Sequence, residues 1–206
     1  MLEGDAPHLR PPPAFYERDF VKLRDYQEQV VASVLGCMKQ GFKSSLNAIF
    51  TGAGKTIIFS TLAKRIAGRT LIIAPLRELV WQAADKARAI VGEDVDIEMA
   101  EYSAPSGDDF IIPSKVVVAC KQTLLSGRKD SKRYKKFTDF QLVIVDEAHM
   151  QCSEAVVEML TYFQEQGAHV SGFTATPFRM DSKPMLREGA CDFTNASQRT
   201  LELTGE

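Results

Sequence analysis

Ile49-Phe50-Thr51-Gly52-Ala53-Gly54-Lys55-Thr56 is the stretch on which the reading of this chain turns: an apolar run gives way to a glycine-rich turn, a lysine and a threonine. Gly52 and Gly54, with Thr51 and Ala53 beside them, permit a tight backbone turn around phosphate groups, and a helix opening behind them aims free N–H groups at the same point. Lys55 adds a mobile positive charge for β- and γ-phosphates, and Thr56 a hydroxyl for Mg²⁺. The leading glycine of the pattern G-x-x-x-x-G-K-[ST] is replaced by Ile49. Taken alone, the stretch suits a glycine turn opening an ordinary helix as well as it suits a phosphate cradle. The rest of the chain has to decide.

The 206 residues, 45% of them apolar, suffice for one large domain with a buried core. Lysine plus arginine (25) nearly balance aspartate plus glutamate (27), so a nucleic-acid contact requires a local basic patch. Cys37, Cys120, Cys152 and Cys191 stand far apart, with no C-x-x-C pair and no histidine at zinc-ligand spacing. That pattern points to reduced structural thiols in a cytosol-like compartment. Met1 to Pro13 carries acids and three consecutive prolines in place of a basic and then apolar leader, and no run approaches the roughly 18 apolar residues of a membrane span. A cytoplasmic or DNA-associated protein without a membrane anchor is expected.

Residues 1–22 read as an irregular lead-in, broken by Pro7 and Pro11 to Pro13. From Leu23 to about Gln40 the apolar positions Tyr26, Val30, Val31, Val34, Leu35 and Met38 recur at helical spacing and end near Gly41. Leu46 to Phe50 is an apolar run into the glycine turn, and Thr56 to about Ile66 is helical before Gly68. Further strands are expected at Thr70 to Ala74, Val95 to Glu98, Val116 to Ala119, Leu142 to Val145 and His169 to Phe173. Between them lie a helix from about Arg77 to Val91, a short helical turn at Gln122 to Leu125, and a helix from Ser153, a candidate N-cap, to about Gln166. Between Lys121 and Lys136 the basic residues face a single acid, Asp130, which suits either a solvated loop or a phosphate-backbone contact. Strands alternating with helices imply an α/β fold, with a mostly parallel sheet covered by helices on both faces. Ligands of such sheets bind at the carboxyl ends of strands, where Gly52, Asp146 and Thr174 all fall.

Leu142 to Val145 runs directly into Asp146-Glu147-Ala148-His149. An acid at the end of a buried strand, well after a phosphate lysine, is where a second Mg²⁺-handling group belongs. Asp146 is the candidate for the ion. Glu147, on the other side of the crevice, is the candidate to orient and deprotonate an attacking water.

With these residues in view, the chain resembles the first RecA-like domain of a superfamily 2 helicase or translocase of the DEAH-box type. Gly52-Ala53-Gly54-Lys55-Thr56 resembles motif I, and Ala74-Pro75-Leu76-Arg77-Glu78-Leu79 with Gln82 resembles motif Ia. Asp146 to His149 resembles motif II, and Thr174-Ala175-Thr176-Pro177 motif III. The wording Thr-Ala-Thr-Pro-Phe-Arg, with Leu23-Arg24-Asp25-Tyr26-Gln27 upstream, is closer to the restriction-subunit and repair-translocase branch than to DEAD-box RNA helicases. The resemblance therefore implies ATP and Mg²⁺ as ligands, and DNA rather than RNA as the polymer. It further implies that Gln27, with Tyr26 beside it, reads the adenine edge, and that Arg77, Gln122 and Thr123 grip a nucleic-acid backbone. Thr174 and Thr176 would relay the nucleotide state, with His149 linking motif II to its neighbours. Leu76 and Cys120 stand where the family often has hydroxyl residues, which removes two contacts to phosphate.

The implied organisation is a lead-in over 1–22, a RecA-like P-loop NTPase domain over 23–181 and a poorly patterned tail over 182–206. Motors of this family hydrolyse ATP between two RecA-like domains, the second supplying an arginine finger. The 27 residues after Arg179 are too few for it. Weak hydrolysis by this chain alone is expected, with the second domain in cis or in a partner subunit. The competing readings are a non-catalytic, nucleotide-switched module that binds DNA or protein, and a P-loop enzyme of another kind.

Overall fold

The computed structural model describes residues 22–92, 94–106, 112–150 and 153–175. Within these, six strands and five α-helices follow in the order α1 (Asp25–Lys39), β1 (Ser44–Ala48), α2 (Lys55–Arg65), β2 (Arg69–Ala74), α3 (Arg77–Val91), β3 (Val95–Glu98), β4 (Val116–Cys120), α4 (Lys121–Leu124), β5 (Phe140–Val145), α5 (Glu154–Glu165) and β6 (His169–Thr174), alternating except at β3 and β4. The strands form one sheet in the order β1-β6-β5-β2-β4-β3. Every neighbouring pair is parallel, so all six carboxyl ends open onto one edge. The lead-in up to residue 21 and the tail lie outside the described residues.

Strand residues alternate between two cores. Ile72, Ala74, Val116, Val118, Ile144 and Phe173 face α1, α2 and α3, whereas Leu71, Ile73, Val117, Val143 and Val145 face α5 and the segment carrying Tyr134 and Phe137. Burial on both faces explains the near-continuous apolar runs of β4 and β5. Phe59 of α2 meets Phe173 of β6 edge-on, with ring centroids 4.6 Å apart.

β1 begins two residues before the apolar run and stops before Ile49. Its opening serines, Ser44 and Ser45, look unsuited to a buried strand, but the Ser45 hydroxyl is satisfied across the sheet. His169 Nδ1 lies 2.7 Å from the Phe42 carbonyl, which only accepts, so Nδ1 carries the proton and Nε2 accepts from Ser45 Oγ at 2.9 Å. Ser45 is 3.0 Å from Ser171 Oγ, which accepts from Asn47 Nδ2 at 3.0 Å. This chain of bonds fastens β1 to β6 on one face. Burial pushes the His169 imidazole below its ordinary pKa, although the bond to Phe42 opposes the shift. Ser153 occupies the N-cap position of α5, but its side chain makes no capping bond.

Candidate nucleotide and nucleic-acid site

The loop between β1 and α2 is shaped by its two glycines. Gly52 and Gly54 adopt φ of +86° and +76°, in the left-handed region that favours glycine. A Cβ on Gly54 would lie 2.8 Å from Gln27 Nε2, whereas one on Gly52 would meet nothing within 4 Å. Ile49 donates its N–H to the Thr174 carbonyl at 2.8 Å and is 2% exposed. It fills the core between α2 and β6, so the position that departs from the phosphate-loop pattern carries a packing residue.

Tyr26 and Gln27 are brought onto this loop. Tyr26 OH and Gln27 Nε2 each donate to the Ala53 carbonyl at 2.9 Å. Gln27 Oε1 also accepts from the Arg24 N–H at 3.0 Å, capping the start of α1 from its third position. The amide is therefore committed at both ends to protein backbone, and it is buried. One N–H and one lone pair remain on it. Nothing in the sequence marked this second duty, because the partner is a main-chain carbonyl.

Lys55 opens α2 and reaches across to the end of β5. Its Nζ contacts Glu147 Oε1, 92 residues away in sequence, and lies 3.9 Å from Asp146 Oδ1. Asp146 extends the sheet by one bond, donating its N–H to the Ile73 carbonyl at 3.0 Å. Burial pushes the Asp146 carboxyl above the ordinary range, and the nearby Lys55 charge pulls it back down. Glu147 has φ of +46°, a strained value for a residue with a side chain. That backbone reversal turns Glu147 towards Lys55 and lets the Met150 N–H bond the Glu147 carbonyl at 2.8 Å. His149 Nδ1 lies 2.8 Å from Thr174 Oγ1 and 3.5 Å from Glu147 Oε2, so it joins the end of β5 to the end of β6. Thr51 is exposed and Thr56 half-buried, at either end of the loop. Thr176 lies outside the described residues.

The sheet order splits the carboxyl edge in two. The ends of β1, β6 and β5 carry Lys55, Thr174 and Asp146, and those of β2, β4 and β3 carry the candidate nucleic-acid contacts. Arg77, first residue of α3, is exposed and lies 3.9 Å from Glu101. Gln122 is exposed and accepts from the Cys120 thiol at 2.7 Å. Thr123 is turned inward, where its hydroxyl accepts the Ala100 N–H at 3.1 Å.

The basic stretch fits neither the fully solvated loop nor the simple phosphate contact. Arg133 and Lys136 fold onto Glu98, whose side chain is wholly buried at the end of β3. Lys136 Nζ and the Ala104 N–H donate to Glu98 Oε2 at 2.8 Å each. Arg133 Nε is 2.5 Å from Oε1 but out of alignment, so charge alone holds that oxygen. Lys132 pairs with Glu158 at 3.4 Å and Lys121 donates to the Met150 carbonyl at 3.3 Å. Arg128 and Lys129 remain exposed.

Comparison with known proteins bears on the fold and the family. IRC3 of Saccharomyces cerevisiae, assigned by name as an ATP-dependent helicase, is 31% identical over 180 residues, covering 79% of this chain and 24% of that protein. The DNA 3'-5' translocase XPB2 of Sulfurisphaera tokodaii is 28% identical over 169 residues, covering 82% of this chain and 34% of its own length. The chain thus spans about a quarter to a third of these relatives. Among solved structures, the Hef helicase domain of Pyrococcus furiosus superposes with a TM-score of 0.60 at 26% identity, over 78% of this chain and 34% of that one. UvsW of phage T4 shares the fold, with a TM-score of 0.59 at 20% identity, over 76% of this chain and 30% of that one. The family described as type III restriction enzyme, res subunit, matches residues 20–179, and the chain belongs to that family.

Proposed function

We propose that this chain is the first RecA-like, ATP-binding domain of an ATP-dependent helicase or translocase, acting on nucleic acid and on DNA in preference to RNA. The observation that carries this reading is the convergence of Lys55 with Asp146 and Glu147 from distant parts of the chain. Thr56 and Asp146 are the residues to hold Mg²⁺, and the buried Asp146 carboxyl fits a cation that offsets its desolvation. When bound, the ion neutralises charge developing on the triphosphate. Lys55 exchanges Glu147 for the β- and γ-phosphates, which frees Glu147 to orient water and accept its proton. Gly52, Ala53 and Gly54 cradle phosphate, with Thr51 at the loop's start. Tyr26 and the remaining N–H and lone pair of Gln27 serve adenine. His149 with Thr174, and Thr176 by resemblance, relay the nucleotide state.

A second RecA-like domain, in cis or in a partner subunit, completes the cleft, and the motor works on DNA in a cytoplasm-like compartment. The names borne by XPB2 and IRC3 support DNA and ATP respectively. The paired acids beside Lys55 speak for turnover and against a purely binding module. The test is ATP binding and turnover by the purified chain with and without single-stranded DNA. Lys55→Ala should weaken ATP binding about tenfold or more, the worth of a charge-assisted contact. Glu147→Gln should bind ATP but lose what hydrolysis there is. Turnover indifferent to both DNA and Glu147 would sink the helicase reading, and brisk strand separation by the chain alone would sink the need for a second domain.

A further inference from the structure

Immediately after β3 the chain makes a two-residue reversal. Met99 and Tyr102 exchange backbone bonds, at 3.0 Å from the Met99 N–H and 2.8 Å from the Tyr102 N–H. Ala100, within the turn, has φ of +49°, a strained value for alanine. Three neighbours hold it there. Thr123 accepts the Ala100 N–H, Arg133 donates to the Ala100 and Tyr102 carbonyls at 2.6 and 3.1 Å, and Trp81 of α3 meets the Tyr102 ring edge-on at 5.2 Å. Strain that persists because the surroundings over-determine it is a reason to look for function.

What the turn displays is an aromatic ring and an acid. Tyr102 is 39% exposed, although its ring is fixed by Trp81, and Glu101 stands against Arg77. Both lie at the carboxyl ends of β2, β4 and β3, among Arg77 and Gln122. A rigid, half-open aromatic ring beside an exposed arginine suits an unpaired base, which offers a π-face next to a phosphate.

Building on the nucleic-acid reading above, we propose that Tyr102 is a base-stacking contact for single-stranded nucleic acid, with the adjacent phosphate displacing Glu101 from Arg77. Trp81 is the only tryptophan in the chain, so its emission reports on this spot. Titration with an oligothymidylate should change Trp81 emission in the unaltered protein, and an abasic oligonucleotide of equal length should bind without that change. Tyr102→Ala should bind oligothymidylate about 5- to 150-fold more weakly, the usual worth of one stacked base, with its salt dependence intact. Tyr102→Phe, which keeps the ring, should stay close to the unaltered protein. Arg77→Ala should instead lower the salt slope by about one. Equal affinity of the unaltered chain and Tyr102→Ala for oligothymidylate, or an equal loss on the abasic strand, overturns the stacking role alone. An emission change identical for thymidylate and abasic strands does the same without any variant. Absence of binding to every strand overturns this proposal together with the nucleic-acid reading beneath it.

Discussion

Replacing Glu98 by glutamine removes one negative charge from a position that water does not reach, while leaving the shape of the side chain nearly unchanged. Arg133 and Lys136 both lean on that carboxylate, and the same two side chains hold the backbone of Ala100, Tyr102 and Ala104. Breaking a buried ion pair by removing one partner costs about 3–5 kcal/mol, because the charge left behind is uncompensated. Arg133 and Lys136 are each 28% exposed, so water relieves part of that cost and about 2–3 kcal/mol is expected for Glu98→Gln. Set against the ~5–15 kcal/mol of a typical domain, such a loss is easily measured. Urea unfolding followed by Trp81 emission should show a lower midpoint with an unchanged slope. The loss should be nearly the same at low and high salt, since a buried pair is screened little. A change within about 0.5 kcal/mol for Glu98→Gln, as at an ordinary surface site, would refute the buried clamp.

Gly52→Ala and Gly54→Ala should differ although they flank the same residue. Both meet the left-handed penalty of roughly 1–2 kcal/mol, but only Gly54→Ala drives a Cβ against Gln27 and disturbs its buried bond to Ala53, adding roughly 1–3 kcal/mol. Equal losses in denaturant unfolding would contradict the packing of Gln27 on the loop. Because burial lowers the His169 pKa below 6.5, the unfolded chain takes up a proton there before the native one does. That contribution to stability is full above 6.5 and declines as pH falls below it. Unfolding midpoints measured across this window should fall more steeply in the unaltered chain than in His169→Gln, and matching slopes would remove His169 from the account.

Periodicity and turn chemistry are local properties, and what rests on them was legible in the chain. The α3 boundaries, Arg77 to Val91, follow from helical spacing ended by Gly92, and β5 is announced by its apolar run before Asp146. The glycine turn after β1 was legible for the same reason, since Gly52 and Gly54 mark backbone conformations that other residues rarely adopt. Polar residues inside the sheet were not legible. Ser44 and Ser45 look like loop residues until His169 and Ser171 of the neighbouring strand are seen to satisfy the Ser45 hydroxyl, with Asn47 of β1 donating to Ser171 in turn. The basic stretch misleads in the same way, because Glu98, the acid that draws Arg133 and Lys136 inward, lies more than thirty residues upstream.

The α/β class, the run of parallel strands and the strand ends that bear the glycine turn and the acids could be read from the chain, because each rests on residues close together along it. Which of them meet is set by how the strands are arranged in space. Strand order sets β1, β6 and β5 side by side, which brings Lys55 to Glu147 and His149 to Thr174, and it gathers Arg77, Tyr102 and Gln122 at the other half of the same edge. Such meetings depend on how strands pair across the sheet, and no local pattern encodes that order.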